Sequence, residues 1–518
     1  MPVRSGDLRR RNGAGRGPGP PDRASGTGSS CSTAGRSPRA GDLARGAEPT
    51  FKAGLPAGAA VADGILRRAL RVLSGTLFFP RGGSAFVARA LARGLGERGV
   101  EVKLLAGSRH DLGDVGDARS FYAGIDLHEV DFTPALAAPE PMEFSGPPGT
   151  APLQPSFEDR PGAPDRIFAS LGERVYRLHV DAWTRELVAA RARDADVLHL
   201  HHLTPLHEAA AVAAPDVPVV AQLHGTELLM LEAIAAGAEW EHAEEWADRM
   251  RRWAARAAEV IVAPGNRARA EALVGIPGDR LVELPNGFDP ELFRPLDVDR
   301  HAVWRRVLLE QPRGWAPGGE PGTVRYEDGA LGALDRGPVL VYVGRFTEAK
   351  RLPLLLECFA AARESLGAPV SLVLVGGHPG EWEGEHPAEA IERLRLRDVM
   401  LAGWYEHAEL PQLLAASDVL VLPSVEESFG QVLVEAMACG LPVIAANALG
   451  PARIVEDGKV GWLFEPDDPR SLTAALIHAA EDPAERARRA RRAAADAPAR
   501  FGWPAIAARL EQILRGVA

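Results

Sequence analysis

Four side chains in the second half of this 518-residue chain have types and spacings that can do chemistry together. A Val/Leu-rich run ends in Gly344-Arg345, and Lys350 follows five residues later. Two cations at the mouth of a buried strand suit a diphosphate, arginine as a planar fork and lysine as a point charge. Further on, VLPS leads into EESFGQVLVEAMACG, where seven residues separate Glu427 from Glu435. If 428–439 is helical, eight steps place these carboxylates about 12 Å apart along the axis. They then cannot share one metal or one proton, but they can grip two distant parts of a long ligand, such as a sugar hydroxyl and a ribose. Between them falls a helix N-terminus near Phe429 to Gln431, whose free N–H groups favour an anion. Cation pair, helix terminus and separated carboxylates converge on a nucleotide-diphosphate sugar. Each also has an ordinary reading: Arg345 and Lys350 as surface cations, Glu427 as a solvated loop acid, Glu435 as a surface acid of the helix.

Other patterns carry less. Gly94-x-Gly96-x-x-Gly99 matches a dinucleotide loop, but it ends a helix and precedes a strand, the wrong context. Asp297-Val-Asp299 and Asp194-Ala-Asp196 match the D-x-D of metal-dependent transferases. One follows a linker and the other precedes a strand, so both read as surface acids. His199, His201 and His202 end a strand, and alternation puts His199 and His201 on one face. No cysteine or carboxylate is placed beside them in sequence, so they read as cleft lining and not as a zinc site. Cys439 reads as a packed thiol.

These residues need a scaffold that presents strand ends. From about residue 71 a strand–helix rhythm begins: RVLSGTLFF, then the helix SAFVARALARGLGERG, then VEVKLLAG, VLHLHH, VPVVAQLHG and VIVAP. The helix is expected to bury Phe86, Val87, Ala90 and Leu91, with Arg89 and Arg93 off that face. After PNGFDPELFRP the rhythm restarts as PVLVYVG, SLVLVG, VMLAG, VLVLPS, PVIAA and GWLFEP. Strands alternating with helices predict parallel sheets, and near-continuous Val/Leu runs predict strands buried on both faces. The expectation is an α/β protein with two doubly wound, Rossmann-like parallel-sheet domains facing a cleft. Their bounds are read as 70–295 and 296–500, with a final helix, 501–518, returning to the first domain. In such sheets ligands bind beyond the carboxyl ends of the strands. Two interruptions, the Pro-rich 133–165 with Met142, Phe144 and Phe157, and the Gly-rich 312–336, are long enough to be functional or disordered.

Composition bounds the rest. Hydrophobic residues are 46% and charged residues 25%, ordinary for a globular protein. The net charge of −11 argues against a dedicated nucleic-acid binder, which needs a basic face. Cys31, Cys358 and Cys439 are too few for a disulfide framework, so a reducing cytosol is the default. No apolar run reaches the roughly 18 residues of a membrane span. The first 50 residues hold nine arginines, no lysine, four acids and ten glycines. That stretch, extended to 1–60, reads as a basic disordered tail. The location expected is cytoplasmic, at most peripheral to the inner face of the membrane.

Several strings, taken together, resemble one family. Glu427-Ser-Phe-Gly-x4-Glu435-Ala-Met-Ala-x-Gly440 is similar to the signature of the retaining glycosyltransferases of family 4. So are VGRFTEAKR (343–351), the VGG of 375–377, PNGFDPELFRP (285–295) and GPARIVEDGKVGWLFEPDDPRSL; PRGGS (80–84) and LHGTE (223–227) match in the first half. The resemblance spans about 70–516. It implies the GT-B fold, substrates in the cleft between the domains, retention of anomeric configuration, and no obligatory metal or other cofactor. Residue by residue it implies that Arg345 and Lys350, after Gly344, neutralise a donor diphosphate. Glu427, with the N–H groups of Phe429 and Gly430, orients the transferred sugar, and Glu435 holds the ribose. Gly82 and Gly83 let a phosphate or acceptor approach the backbone, and His224 stands near the anomeric centre or the sugar's far hydroxyl. The chain departs from the family where GGHPGE replaces GGGP, leaving His378 and Glu381 without an assigned contact, and where Ser428 replaces a glycine. UDP-glucose is the first donor expected on family frequency, and the acceptor is a sugar, polyol or lipid-linked hydroxyl. The implied mechanism is front-face, with a phosphate oxygen taking the acceptor's proton. Rival readings are a same-fold nucleotide-sugar epimerase or disaccharide phosphorylase, and a non-catalytic sugar-nucleotide-binding subunit.

Overall fold

The structure is a computed structural model that describes residues 68–80, 82–158, 164–456 and 458–518. The basic tail expected over 1–60 lies outside the described residues. The first series supplies β1 (Arg71–Thr76), β2 (Glu101–Ser108), β3 (Asp126–Asp131), β4 (Val197–His201), β5 (Val219–Gln222), β6 (Glu259–Val262) and β7 (Leu281–Glu283). They form one sheet in the order β3-β2-β1-β4-β5-β6-β7, parallel throughout. The second series supplies β8 (Val339–Gly344), β9 (Ser371–Gly376), β10 (Val399–Gly403), β11 (Val419–Leu422), β12 (Val443–Ala446) and β13 (Gly461–Phe464). Their order is β10-β9-β8-β11-β12-β13, again parallel. Both sheets lie in one unit, Arg67–Ala518. Two Rossmann-like parallel sheets joined in this way are the GT-B fold.

The Val/Leu runs behave as their composition dictates. Every residue of β9, β10, β11 and β12 is buried, with helices on both faces removing apolar surface from water. Two strands escape the sequence pattern. DLHEVD is an edge strand with one fully buried residue, so its polar residues look like a loop. LVE at the opposite edge is three residues long.

The chain crosses between the sheets twice, side by side. Phe288 pairs with Gly502 in an isolated bridge, and Phe288 N–H donates to Phe501 O at 2.9 Å. Only glycine fits at Gly287, because a Cβ there would stand 2.6 Å from the Trp503 ring. The final helix, Trp503–Val517, then packs Ile506, Leu510 and Leu514 against Val87, Leu91 and Leu95 of the helix Gly83–Glu97. A Cβ on Gly94 would meet Ala507 Cβ at 2.7 Å, so the dinucleotide-like glycines serve this helix crossing and the turn after it. That crossing also corrects the expected apolar face. It covers Val87, Ala88, Leu91 and Leu95, whereas Phe86 is 47% exposed and lies edge-on to Phe121 with the Arg89 guanidinium beside both rings.

Both interruptions are structural in large part. In 133–165, Met142, Ala151 and Leu153 are buried in the first core, and Phe144 and Phe157 pack against it. Glu186 pins the segment by accepting from Gly149 N–H at 2.9 Å while pairing with His128. In 312–336, Arg313 forms a bridge with Gly403 and Trp315 is buried, its indole N–H donating to Gly377 O at 2.9 Å. The segment then ends in a helix, Asp328–Arg336, so it covers the β10 edge and is not a free loop.

Candidate functional site

Strand ends of the second sheet bring two of the four sequence-selected side chains into contact. Lys350, just after β8, forms an ion pair with Glu427, just after β11, and both are about four-fifths buried. These strands are neighbours in the sheet, which brings together two groups 77 positions apart. Arg345 does not join them. Its guanidinium is exposed and makes no hydrogen bond or ion pair among the described residues, while its carbonyl accepts from the Tyr342 hydroxyl at 2.6 Å. That hydroxyl folds back over Gly344, where a Cβ would lie 2.6 Å from it, so a side chain at 344 would displace the turn.

The helix carrying Glu435 is shorter than expected. It spans Gln431–Ala438, with Gly430 as its N-cap at φ +95°, a left-handed conformation that favours glycine. Glu427 therefore stands outside the helix, and the 12 Å offset from eight helical steps does not apply. The two carboxylates are separated instead by environment. Phe429 is buried against Phe501 and anchors the loop between them. Glu435 is 2% exposed and accepts from Gln431 Nε2 at 3.1 Å, and it lies 2.8 Å from His407 Nε2. Gln431 also donates to Gly287 O at 2.7 Å, tying the pair to the interdomain crossing. Burial works against a charged His407, but Glu435 outweighs it and raises the His407 pKa above its ordinary value. Gln431 was legible from its i,i+4 spacing to Glu435; His407 was not, because it arrives on the loop after β10.

The first sheet faces this loop closely. LHGTE follows β5, and a Cβ on Gly225 would stand 2.4 Å from Ser428 Oγ. Asn266 Nδ2 donates to Ser428 O at 3.0 Å. His224 is half-buried, its Nε2 2.9 Å from His201 Nδ1, and burial with the nearby His202 pushes its pKa down to about 3. Gly82 and Gly83 are exposed at the start of the helix Gly83–Glu97, with open space where a side chain would stand; Gly82 has φ +78°.

The histidines that end β4 and follow it are corrected in one respect. They do have a carboxylate neighbour: Glu227, completely buried, lies 2.6 Å from His202 Nδ1. It comes from the first turn of the helix Thr226–Ala235 that follows the neighbouring strand β5, which the sequence spacing did not reveal. His199 is 2.8 Å from Gln222 Oε1, and burial pushes its pKa down to about 4. One His/Asp/Glu group among the described residues brings three ligand atoms together, His110, Asp117 and Glu129, but Arg119 already pairs with Glu129. The D-x-D acids have other employment. Asp299 caps the helix Arg300–Arg305, Asp297 is exposed, Asp194 pairs with Arg191, and Asp196 clamps Arg71. His378 and Glu381 are exposed at the end of β9, 3.9 Å apart. Burial pushes the Cys439 thiol up to about 12, as a packed cysteine should be.

Two Rossmann-like parallel sheets whose strand-end loops meet in this way form the scaffold of the GT-B enzymes. The Glycosyl transferases group 1 model matches residues 327–496, and the Glycosyltransferase Family 4 model matches 81–292. A D-inositol 3-phosphate glycosyltransferase of Xylanimonas cellulosilytica is 30% identical over 434 residues, 80% of this chain and 96% of that one. The chain thus belongs to the family 4, group 1 glycosyltransferases. A glycogen synthase of Mycobacterium tuberculosis is 27% identical, over 64% of this chain and 70% of its own. Among solved structures, Anabaena HepE in complex with UDP-glucose superposes with a TM-score of 0.56 at 20% identity, covering 86% of this chain and all of that one. Among the described residues, no helix is long and apolar enough to cross a membrane.

Proposed function

We propose that this glycosyltransferase is a retaining hexosyltransferase that uses a nucleotide-diphosphate sugar, UDP-glucose first, and a polyol or sugar hydroxyl as acceptor. An inositol phosphate is the first acceptor to try, because relatives are named for it. The observation that carries the reading is the Lys350–Glu427 pair at the carboxyl ends of adjacent parallel strands, where such folds receive ligands. Arg345 and Lys350 supply the counter-charge to the diphosphate. Glu427, with the N–H groups of Phe429 and Gly430, orients the sugar; Glu435, held by Gln431 and His407, takes the ribose. Gly82 and Gly83 admit phosphate or acceptor close to the backbone, and His224 stands at the reacting end. In the transfer step the acceptor oxygen bonds to the anomeric carbon as the carbon–phosphate-oxygen bond breaks on the same face. The bond electrons leave with the diphosphate, and one of its oxygens takes the acceptor's proton. The protein contributes positioning and stabilisation of the departing charge.

Turnover is expected to need no divalent metal, since Arg345 and Lys350 stand where the diphosphate is proposed to lie, and of the D-x-D acids Asp299 caps a helix and Asp194 and Asp196 pair with arginines. The test is a thermal-shift screen of nucleotide sugars, in which a bound donor raises the melting temperature by mass action. Transfer is then measured with and without a chelator. Activity abolished by the chelator and restored by manganese would sink the metal-free reading.

A further inference from the structure

His202 is the most unusual residue on the first sheet's side of the cleft. It has φ +63°, a left-handed conformation that a non-glycine residue adopts only where its surroundings impose it. Those surroundings are specific. Its N–H donates to Gln222 O at 2.9 Å, and its carbonyl lies 2.9 Å from His207 Nε2. The ring is 96% buried, with Nδ1 2.6 Å from Glu227 Oε1. Glu227 is fixed in turn, its other oxygen accepting the His224 N–H at 3.1 Å. A glutamate carboxylate can only accept a hydrogen bond, and one of its oxygens lies within bonding distance of Nδ1. Nδ1 of His202 must then carry the proton, and a neutral ring presents Nε2 as a lone pair. That Nε2 is buried and has no hydrogen-bond partner among the described residues. Around the ring stand His224 at 4.4 Å, Phe78 at 4.9 Å and Phe157 at 5.5 Å between centroids.

Each neighbour points to the same place. His224 precedes Gly225, which abuts the Ser428 loop; Phe78 lies four residues before Gly82; Phe157 belongs to the inserted segment. We propose that His202, oriented by Glu227, is an acceptor-binding residue whose Nε2 accepts a hydrogen bond from a hydroxyl of the acceptor. The inference rests on the transferase reading above and names the group that recognises the neutral half of the reaction. A strained, carboxylate-backed imidazole with an unused lone pair is costly to keep in a core. An incoming O–H supplies the missing partner, and the half-buried Phe78 and Phe157 rings give it an apolar border. The ligand chemistry is an alcohol, with an aliphatic ring face against the phenylalanines.

The test uses the full-length enzyme labelled with 15N-histidine. Long-range proton–nitrogen spectra of the parent and of His202→Asn assign the His202 ring, asparagine being chosen because it tolerates the left-handed backbone. The expected result is the Nδ1–H tautomer at neutral pH. With UDP-glucose as donor and D-inositol 3-phosphate as probe acceptor, His202→Asn should lose about 10-fold or more in kcat/KM for the acceptor. UDP affinity, read by calorimetry on the same samples, should change less than about two-fold, within the scatter expected of an independent site. A parent that binds UDP but carries its His202 proton on Nε2 overturns this inference and leaves the donor reading standing. So does a His202→Asn variant with unchanged acceptor kcat/KM. A parent that binds no nucleotide overturns both.

Discussion

The carboxyl ends of the two sheets are lined with opposite kinds of side chain. In the end of β4 and just after β4 and β5 stand His199, His201, His202 and His224, buried or half-buried and bonded among themselves, to Gln222 and to Glu227. After β8 and β11 come Lys350 and Glu427, paired, with Arg345 exposed nearby. Neutral imidazoles can be packed at small desolvation cost, whereas full charges persist in a partly buried site only when paired. The difference fits the proposed division of labour: a charged leaving group against the second sheet, an uncharged alcohol against the first. It also makes the sheets respond differently to acid and to mutation.

Acid should separate them most. An imidazole binds a proton near pH 6.5 in the unfolded chain. Burial pushes His199 and His207 down to about 4 and His224 to about 3. The stability each contributes is complete above pH 6.5 and drains as pH falls toward 4, because the unfolded state binds the proton first. At pH 5 the loss is about 2 kcal/mol per histidine. Hydrogen exchange pulsed at one pH after incubation at pH 5 should find β4 and β5 peptides unprotected before those of β9 to β12. Simultaneous opening of both sheets would remove the contrast.

Next in size is the counter-charge. Lys350→Ala and Arg345→Ala should each lower single-turnover transfer at saturating donor by about 10²–10³, or 2.7–4 kcal/mol. Donor binding should fall less, by about 1.5–3 kcal/mol per charged hydrogen bond. The cation meets more negative charge in the transition state than in bound donor, and only that difference accelerates the step. Arg345→Lys should recover little, since an ammonium lacks the planar fork. A transfer rate within a few-fold of the parent in either alanine variant would make that residue a surface cation.

The two glutamates sharpen the comparison within the second sheet. Glu435→Ala should weaken free UDP by about 10-fold or more, the worth of a charge-assisted bond. Glu427→Ala should leave UDP affinity nearly unchanged and damage transfer. Equal losses of UDP binding would show that the sugar and ribose assignments are wrong. The smallest effect is expected from Phe157→Ala on the first side: a shift of acceptor KM by about 3–10-fold with nucleotide affinity intact, the order of one lost apolar contact. Deleting the whole of 133–165 is a poor substitute, because Met142 and Leu153 are core residues.

The legible parts of the fold share a physical feature. All six strands of the second sheet were readable because burial on both faces forces continuous apolar runs. The edge strands β3 and β7 were not, since one side of each faces solvent or an irregular cover. Phe86 was misplaced because helical periodicity gives a stripe but not its centre; the returning helix Trp503–Val517 sets that centre. The insertion 312–336 read as a loop because its anchors, Arg313 and Trp315, are single residues among glycines.

By itself the sequence determined two parallel α/β sheets and most of their strands, and it singled out Arg345, Lys350, Glu427 and Glu435 as the residues proposed here to meet a sugar nucleotide. Local patterns suffice for this, because burial and helix starts are written in neighbouring residues. Tertiary structure alone decided who pairs with whom. Lys350 meets Glu427 across 77 positions, Glu435 meets His407 across 28, and His202 meets Glu227 across 25. In a parallel sheet each crossover returns the chain to the same end of the strands, so residues far apart in sequence meet at neighbouring strand ends, and no local spacing records which ends are neighbours.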